Sequence, residues 1–233
     1  MTEKIKKLIE DGVIFKDANN CMIDDEVTIG SGTVIYPGVV IEGRTSIGRD
    51  CVLRPGCYLR ESSIGERCDL LYVVSERASV DDDVKIGPFV NLRPDTHVSA
   101  QCRIGDFVEI KNSSVGEATK VSHLTYIGDA DVGARVNVGC GCVFVNYDGF
   151  EKHRSTVGDD VFLGCQTKLV SPVKVGDDAC TAAGSTITED VPAGALAIAR
   201  SKQSNHPGWV EKYRAFKSAK RKAAQDAVSK KNN

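Results

Sequence analysis

Large aliphatic residues recur at every sixth position along most of this chain, and small or polar residues fill the positions between them. Glycine often follows the aliphatic residue, as in "TIGSG", "KIGPF" and "YIGDA". This period matches neither an α-helix nor an ordinary amphipathic strand, but it is typical of a hexapeptide β-helix. The three main series are Ile23, Ile29, Ile35, Ile41, Ile47, Leu53 and Leu59; Val80, Ile86, Leu92, Val98, Ile104 and Ile110; and Val157, Leu163, Leu169, Val175, Thr181 and Ile187.

The repeat predicts an all-β fold in which three hexads close a triangular coil of about 18 residues. Residues 20–190 would then form roughly nine coils, with one aliphatic side chain per hexad stacked inside. Proteins of this repeat class wind left-handed, so the predicted fold class is a left-handed parallel β-helix. We predict a linker or capping helix within residues 1–15, the β-helix at 16–195, and a C-terminal arm or helix at 196–233.

Charge and composition narrow the class of protein only a little. The net charge is -2, although residues 210–233 carry eight basic residues against two acidic ones, a net of +6. That tail has only Tyr213 and Phe216 as aromatic residues, which argues against nucleic-acid binding. The N-terminus has no secretory leader pattern, and no apolar run could span a bilayer, so we expect a soluble cytoplasmic protein.

The nine cysteines are scattered, with no CxxC pair and no zinc-finger spacing. We interpret them as reduced thiols that act as small apolar fillers, which implies a reducing compartment. The histidines other than His123 do not repeat with it at coil spacing, so we expect no metal site.

The period is interrupted at "NYDGFEKHRST", residues 146–156, which should protrude from a corner of the β-helix as a loop. Two cations, Arg93 and Lys111, stand three full hexads apart and should stack on one face. With His123 and Tyr126 nearby, they would suit a phosphate group. His123 could act as a general base, or it could be a packed histidine satisfied by the backbone.

Several longer motifs carry a resemblance to a known family. They are "GPFVNLRPDT", "GDFVEIKNS", "HLTYIGDADVGARVNVGCG", "NYDGFEKHRSTVGDDVFLG" and "ALAIARSKQ". In this order, they closely resemble the C-terminal acetyltransferase domain of the bacterial bifunctional enzyme that makes UDP-N-acetylglucosamine. The resemblance implies a parallel homotrimer with active sites at subunit boundaries. It also implies direct acetyl transfer from acetyl-CoA to the amino group of glucosamine 1-phosphate, for cell-wall precursor synthesis.

The resemblance also implies a role for individual residues. His123 matches the catalytic base, and Asn146 matches a residue at the reacting centre. The positions that match the sugar-phosphate site are Arg93, Lys111, Tyr126, Asn137 and Lys152. The positions that match the acetyl-CoA site are Cys140, Asn146, Tyr147, Cys165, Ala183 and Arg200.

The chain departs from the family pattern at three points. The family usually has a small alanine in place of Cys140 and a serine in place of Cys165, and both positions border acetyl-CoA. The uridyltransferase half is missing from this sequence, so no UDP-sugar synthesis is expected. Two alternatives stay open: a hexapeptide acyltransferase that acts on another amino sugar or a hydroxyl, and a non-catalytic β-helical scaffold.

Overall fold

The computed structural model describes residues 2–231, and residues 14–197 form the predicted left-handed parallel β-helix. The chain divides into one compact unit at residues 1–200 and a second at residues 201–233. The β-helix includes the strands Ile14–Phe15 and Leu196–Ala197, which lie just outside the predicted range of 16–195.

The strands form three parallel sheets, and each coil contributes at most one short strand to each sheet. The first sheet contains Ile14–Phe15, Val34–Ile35, Val52–Leu53, Asp69–Leu70, Lys85–Ile86, Arg103–Asp106, Lys120–His123, Asn137–Val138, Phe162–Leu163, Cys180–Thr181 and Leu196–Ala197. The second contains Met22–Ile23, Val40–Glu42, Tyr58–Arg60, Val73–Glu76, Val90–Leu92, Glu109–Lys111, Tyr126–Gly128, Val143–Val145, Lys168–Val170 and Thr186–Ile187. The third contains Thr28–Ile29, Ser46–Ile47, Ser63–Ile64, Ser79–Val80, His97–Val98, Ser114–Val115, Ala130–Val132, Ser155–Val157 and Lys174–Val175.

The aliphatic residues of the repeat form the continuous core. The side chains of Leu59, Leu92, Ile110 and Ile127 are fully buried on the inward face of the second sheet, with the buried Ser75 between Leu59 and Leu92. Complete burial of such a side chain contributes about 1.5–3 kcal/mol relative to exposure. The core is therefore a column whose stability comes from contacts between neighbouring coils.

Coil length varies, and this variation explains the breaks in the six-residue period. Leu92 pairs with Ile110, which lies three full hexads further along the chain, whereas Ile110 pairs with Ile127, one position short of three hexads. The coil that contains the insertion is the longest, because Val138 pairs with Leu163 and the whole inserted segment lies between them.

Several turns carry large side chains in the left-handed backbone conformation that usually favours glycine. Phe107 has φ 56° and Leu124 has φ 48°. The Leu124 N–H donates to the Asp106 carbonyl of the preceding coil at 2.9 Å, which helps to hold this conformation. At the same corner, the rings of Phe89 and Phe107 stack with centroids 5.2 Å apart.

Each of the two helices stands at an end of the described chain. The first spans Glu3–Glu10, and Thr2 caps it by accepting a hydrogen bond from the Ile5 N–H at 3.3 Å. Its Leu8 belongs to the β-helix core, as expected for a capping helix. The second helix spans Trp209–Lys231. Neither described helix is long and apolar enough to cross a membrane.

Candidate active site

Four predicted site residues lie in one line at the corner between the first and second sheets. Each coil contributes to this line the residue at the same turn position. The residue that follows it in the sequence donates its backbone N–H to the carbonyl of the corresponding residue in the preceding coil. These bonds join Leu124 to Asp106 (2.9 Å), Gly141 to His123 (3.3 Å), Gln166 to Cys140 (2.8 Å) and Gly184 to Cys165 (2.8 Å). We call this line the corner column; its members are Asp106, His123, Cys140, Cys165 and Ala183.

The His123 imidazole is held by a carboxylate within the corner column. Its Nδ1 lies 2.5 Å from Oδ1 of Asp106, so its ring is not satisfied by the backbone alone. This hydrogen bond lowers the pKa of the Asp106 carboxyl. Because an ionised carboxylate only accepts hydrogen bonds, the pairing places the proton on Nδ1 and leaves Nε2 as the acceptor of the neutral ring. His123 is more than half exposed, and both residues line a groove of about 620 Å³ on the first sheet.

A second group of charged residues lies where the second sheet ends. Arg93 and Lys111 stack on successive coils as predicted, and the Arg93 N–H donates to the carbonyl of the residue before Lys111 at 2.8 Å. Arg93 pairs with Glu109 at 2.8 Å, and Lys111 lies 3.7 Å from Asp129. Lys152 lies against Lys111 and is the third cation at this place. The hydrogen-bond contact with Lys111, and then the positive charge of Lys111, lower the pKa of Lys152. We call Arg93, Lys111 and Lys152, with Glu109 and Asp129, the cation cluster.

Asp129 organises this cluster although it is almost completely buried. Burial raises the pKa of its carboxyl, but hydrogen bonds from Asn112 and Asn146 and the charges of Lys111 and Lys152 lower it overall. The Asn112 amide donates at 2.5 Å, and the Asn146 amide donates to the other carboxylate oxygen. The carboxylate therefore stays ionised and fixes both amides.

Tyr126 reaches the cation cluster across a glycine. Its hydroxyl accepts a hydrogen bond from the Asn146 amide at 3.4 Å. A Cβ on Gly128 would lie 2.3 Å from the Tyr126 hydroxyl and 2.8 Å from the Asn146 nitrogen, so only glycine leaves room for this arrangement.

The inserted segment forms an ordered loop at the corner between the second and third sheets, as predicted. Asp148 accepts hydrogen bonds from the N–H groups of Phe150 and Glu151 at 2.8 and 2.7 Å. These bonds lower the pKa of the Asp148 carboxyl. Arg154 fixes the far end of the loop through Asp131, at 2.5 and 2.7 Å. Tyr147 stays exposed, and its hydroxyl donates to the Gly149 carbonyl at 2.7 Å.

The predicted site residues thus fall into separate groups within one chain. No hydrogen bond or ion pair among the described residues joins His123 to the cation cluster. Asn137 lies on the outer side of the first sheet, beside Lys120, and not near Arg93. Arg200 is exposed at the end of the first unit. Within the part of the chain that the structure describes, no group of three or more His, Cys, Asp or Glu side chains could hold a metal ion.

Four residues that shape these groups are absent from the sequence-based predictions: Asp106, Glu109, Gly128 and Asp129. Asp106 lies one residue less than three hexads before His123, so the two residues pair only because this coil is short. The sequence does contain a signal for the short coil, namely the shift in the six-residue period after Ile110. Gly128 and Asp129 follow the pattern of ordinary turn residues, so nothing in the sequence marks them.

The cysteine prediction is confirmed in part. Five cysteines are buried as apolar fillers, namely Cys51, Cys57, Cys68, Cys102 and Cys142. The other four cysteines are at least partly exposed and so do not act as core fillers: Cys21, Cys140, Cys165 and Cys180.

Fold and repeat define the class of this protein, a hexapeptide-repeat β-helix. The family described as bacterial transferase hexapeptide (six repeats) matches residues 26–61. The chain is 53% identical over 203 residues to the bifunctional protein GlmU of Thermoanaerobacter pseudethanolicus, covering 87% of this chain and 44% of that protein. It is also 53% identical over 205 residues to GlmU of Caldicellulosiruptor saccharolyticus, covering 88% and 44%.

The chain thus spans less than half the length of the curated relatives it matches. These matches confirm the resemblance drawn from the sequence motifs. Among solved structures, the UDP-N-acetylglucosamine acyltransferase from Campylobacter jejuni has 18% sequence identity and a TM-score of 0.48, covering 85% of this chain and 82% of that one.

Proposed function

We propose that this protein transfers the acetyl group of acetyl-CoA to the amino group of glucosamine 1-phosphate, giving N-acetylglucosamine 1-phosphate. The observation that carries the proposal is the 53% identity to GlmU over 87% of the chain. The two groups of site residues supply chemistry suited to each substrate.

The cation cluster supports a phosphorylated acceptor. It holds three cations, Arg93, Lys111 and Lys152, against two carboxylates, so one positive charge is left over. The hydrogen-bond contact with Lys111, and then the positive charge of Lys111, lower the pKa of Lys152, and a bound phosphate would offset the repulsion between the two lysines. Arg93 offers a planar fork of donors, and the lysines act as point charges. Tyr126 would complete this sugar-phosphate site within the same chain, whereas Asn137, which lies on the first sheet, would have to join it from a neighbouring subunit.

The corner column supports proton transfer. The amino group of the sugar must lose a proton before it can attack a thioester, and Nε2 of His123 can accept that proton. Asp106 holds the ring in the required tautomer and stabilises the imidazolium that forms. The amine then attacks the acetyl carbonyl directly and the bond to the CoA sulfur breaks. The nitrogen loses a second proton as the amide forms, the leaving sulfur takes up one proton to give CoA thiol, and His123 releases the other to solvent.

The remaining column residues would position acetyl-CoA. Cys140, Cys165 and Ala183 follow His123 on successive coils, so an extended pantetheine arm can run along them. Asn146 and Tyr147 would lie at the acetyl end and Arg200 at the other. Backbone N–H groups near Cys140 or Tyr147 would stabilise the oxyanion. No metal is expected in this reaction.

A homotrimer with sites at subunit boundaries would bring the corner column and the cation cluster together in one site. His123 and the cation cluster share no hydrogen bond or ion pair among residues 2–231. If the corner column of one subunit faces the cation cluster of the next, the base and the phosphate site come together.

The test uses the purified chain, acetyl-CoA and three acceptors: glucosamine 1-phosphate, glucosamine and a sugar alcohol phosphate. Products are identified by mass spectrometry, because nine protein thiols would react with a thiol reagent. We expect N-acetylation of glucosamine 1-phosphate. Equal reaction of unphosphorylated glucosamine would instead indicate a different acceptor, and no transfer to any acceptor would favour the scaffold.

Mixing two impaired variants tests the shared site. At glucosamine 1-phosphate concentrations well below KM, the Arg93→Ala and His123→Ala homotrimers should each have little activity. If each site combines two subunits, mixed trimers formed by co-refolding should contain some intact sites and regain part of the activity. Failure to regain activity in trimers shown to be mixed would place each site within one subunit.

A further inference from the structure

Cys140, Cys165 and Cys180 differ from the other six cysteines, whose thiols all donate a hydrogen bond to a backbone carbonyl. Typical examples are Cys102 to Gly116 at 3.0 Å and Cys142 to Gly164 at 3.3 Å. Burial raises the pKa of Cys57, Cys102 and Cys142 to about 11, so these thiols are unreactive near neutral pH.

The thiol of Cys140 makes no such hydrogen bond within the described residues, and Cys140 is partly exposed. A thiol in this setting is free to react if a base lies close to it.

The register of the β-helix places that base next to Cys140. Asp106, His123 and Cys140 are successive members of the corner column, and both steps between them are one position short of three hexads. The Gly141 N–H donates to the His123 carbonyl at 3.3 Å, which joins the two coils directly beside Cys140. Side chains in this column do meet across one coil, because Asp106 touches the His123 ring at 2.5 Å.

The order of the three residues is that of an activated nucleophile: a carboxylate that orients an imidazole, and a cysteine at the same position one coil beyond the imidazole. We propose that Cys140 is an acetyl-accepting thiol, which takes the acetyl group from acetyl-CoA when no amino sugar is bound. This inference rests on the proposed binding of acetyl-CoA along the corner column.

The step is a thioester exchange that needs no oxidant or reductant. Nε2 of His123 takes the proton from the Cys140 thiol, and the thiolate sulfur attacks the acetyl carbonyl. A bond forms between Sγ and the acetyl carbon, and the bond between that carbon and the CoA sulfur breaks. The CoA thiolate leaves with the proton from His123, and the products are S-acetyl-Cys140 and CoA thiol. Because one thioester replaces another, free CoA or the sugar amine can remove the acetyl group again.

Position separates Cys140 from the other exposed thiols. Cys165 lies one coil further from His123, and Cys180 lies on the outer side of the first sheet, beside Phe162. Cys180→Ala is therefore the matched control, since it removes a partly exposed thiol outside the column.

The experiment incubates the full chain with acetyl-CoA and no acceptor, then measures intact mass and maps acetylated peptides at mildly acidic pH. We expect one acetyl group on the peptide that contains Cys140, and its loss when glucosamine 1-phosphate is added. Cys140→Ala should abolish the label, Cys180→Ala should keep it, and His123→Ala should slow its formation on the order of 10²-fold.

The outcomes separate this inference from the proposed function. If the sugar is N-acetylated while Cys140 never carries acetyl, the inference is wrong and the proposed function stands. If Cys140 is labelled but the sugar is not acetylated, the inference stands and the proposed function is wrong. Equal labelling of Cys165 and Cys180, or labelling that His123→Ala does not slow, indicates unspecific thiol chemistry and overturns the inference.

Discussion

The corner column and the cation cluster are built in different ways. The corner column takes one residue from the same turn position of each coil, so register alone sets its order. The cation cluster also needs Asn146 and Lys152, which come from the inserted loop. A stacked repeat therefore arranges groups in a line about 5 Å apart. Convergence of several groups on one point requires an insertion.

This difference separates two kinds of expected defect. Each column residue is held by backbone hydrogen bonds to neighbouring coils, so its side chain can be removed while the fold remains. In the cation cluster the side chains hold one another in place, so a change there should mainly alter acceptor binding.

The largest effect is expected in the corner column. His123→Ala should lower kcat by about 10²- to 10⁴-fold, because the proposed reaction would lose the acceptor for the proton of the sugar ammonium. Circular dichroism should show an unchanged β-helix. His97→Ala is the control, since His97 lies on the third sheet and bonds Ser79 at 2.8 Å. Near wild-type turnover of His123→Ala would remove His123 from the mechanism.

The next effect concerns the cation cluster. Arg93→Ala should raise KM for glucosamine 1-phosphate by about 10- to 100-fold, since a hydrogen bond to a charged group contributes about 1.5–3 kcal/mol. Stability should change by less than about 1 kcal/mol, because both Arg93 and Glu109 are partly exposed. Steady-state kinetics and urea unfolding measure the two quantities.

Arg60→Ala is the matched control for Arg93→Ala. Arg60 stands at the same place on the second sheet, two coils towards the N-terminus, and pairs with Glu76 at 3.9 Å. An equal rise in KM in both variants would mean that overall charge, and not the cation cluster, attracts the phosphate.

A smaller effect is expected at the glycine beneath Tyr126. Gly128→Ala should lower kcat/KM by about tenfold, because the new methyl group displaces the Tyr126 hydroxyl and the Asn146 amide. Gly38→Ala serves as a control for stability only, since a Cβ there meets nothing within 4 Å although its φ of 79° adds strain. Unchanged kinetics in Gly128→Ala would show that the position of Tyr126 does not matter.

The smallest effect is a difference in acid stability. Folding lowers the pKa values of Asp106 and Asp129, so their contribution is present above the unfolded value of about 3.9 and is lost as pH falls through the folded pKa. The free energy of unfolding should stay flat from about pH 5 to 8 and fall below about pH 4. Urea unfolding at a series of pH values measures this.

Asp129→Asn should change the acid part of that profile more than Asp106→Asn does. Asp129 is nearly buried and holds two amides, whereas Asp106 is partly exposed. Equal changes in acid stability in the two variants would contradict the conclusion that side chains hold the cation cluster together whereas backbone hydrogen bonds hold the corner column.

Much of the fold could be predicted because the repeat is a local signal. Each inward aliphatic residue, such as Ile41 or Leu92, is marked by its spacing alone, and burial follows from that spacing. The stacking of Arg93 and Lys111 was predictable for the same reason, since that coil keeps three full hexads. The loop was visible as a gap in the period at residues 146–156, although its last two residues belong to the strand Ser155–Val157.

The sequence by itself therefore determined the β-helix, its inward ladder and the place of the insertion. Only the tertiary structure decided which outward residues meet, because that depends on the length of each coil. Coils of three full hexads would have stacked Gly105 and Gly141 with His123, whereas the shorter coils found here bring Asp106 and Cys140 to it. A shift of one residue carries each side chain to a different position on the corner, so the register decides the chemistry of the column.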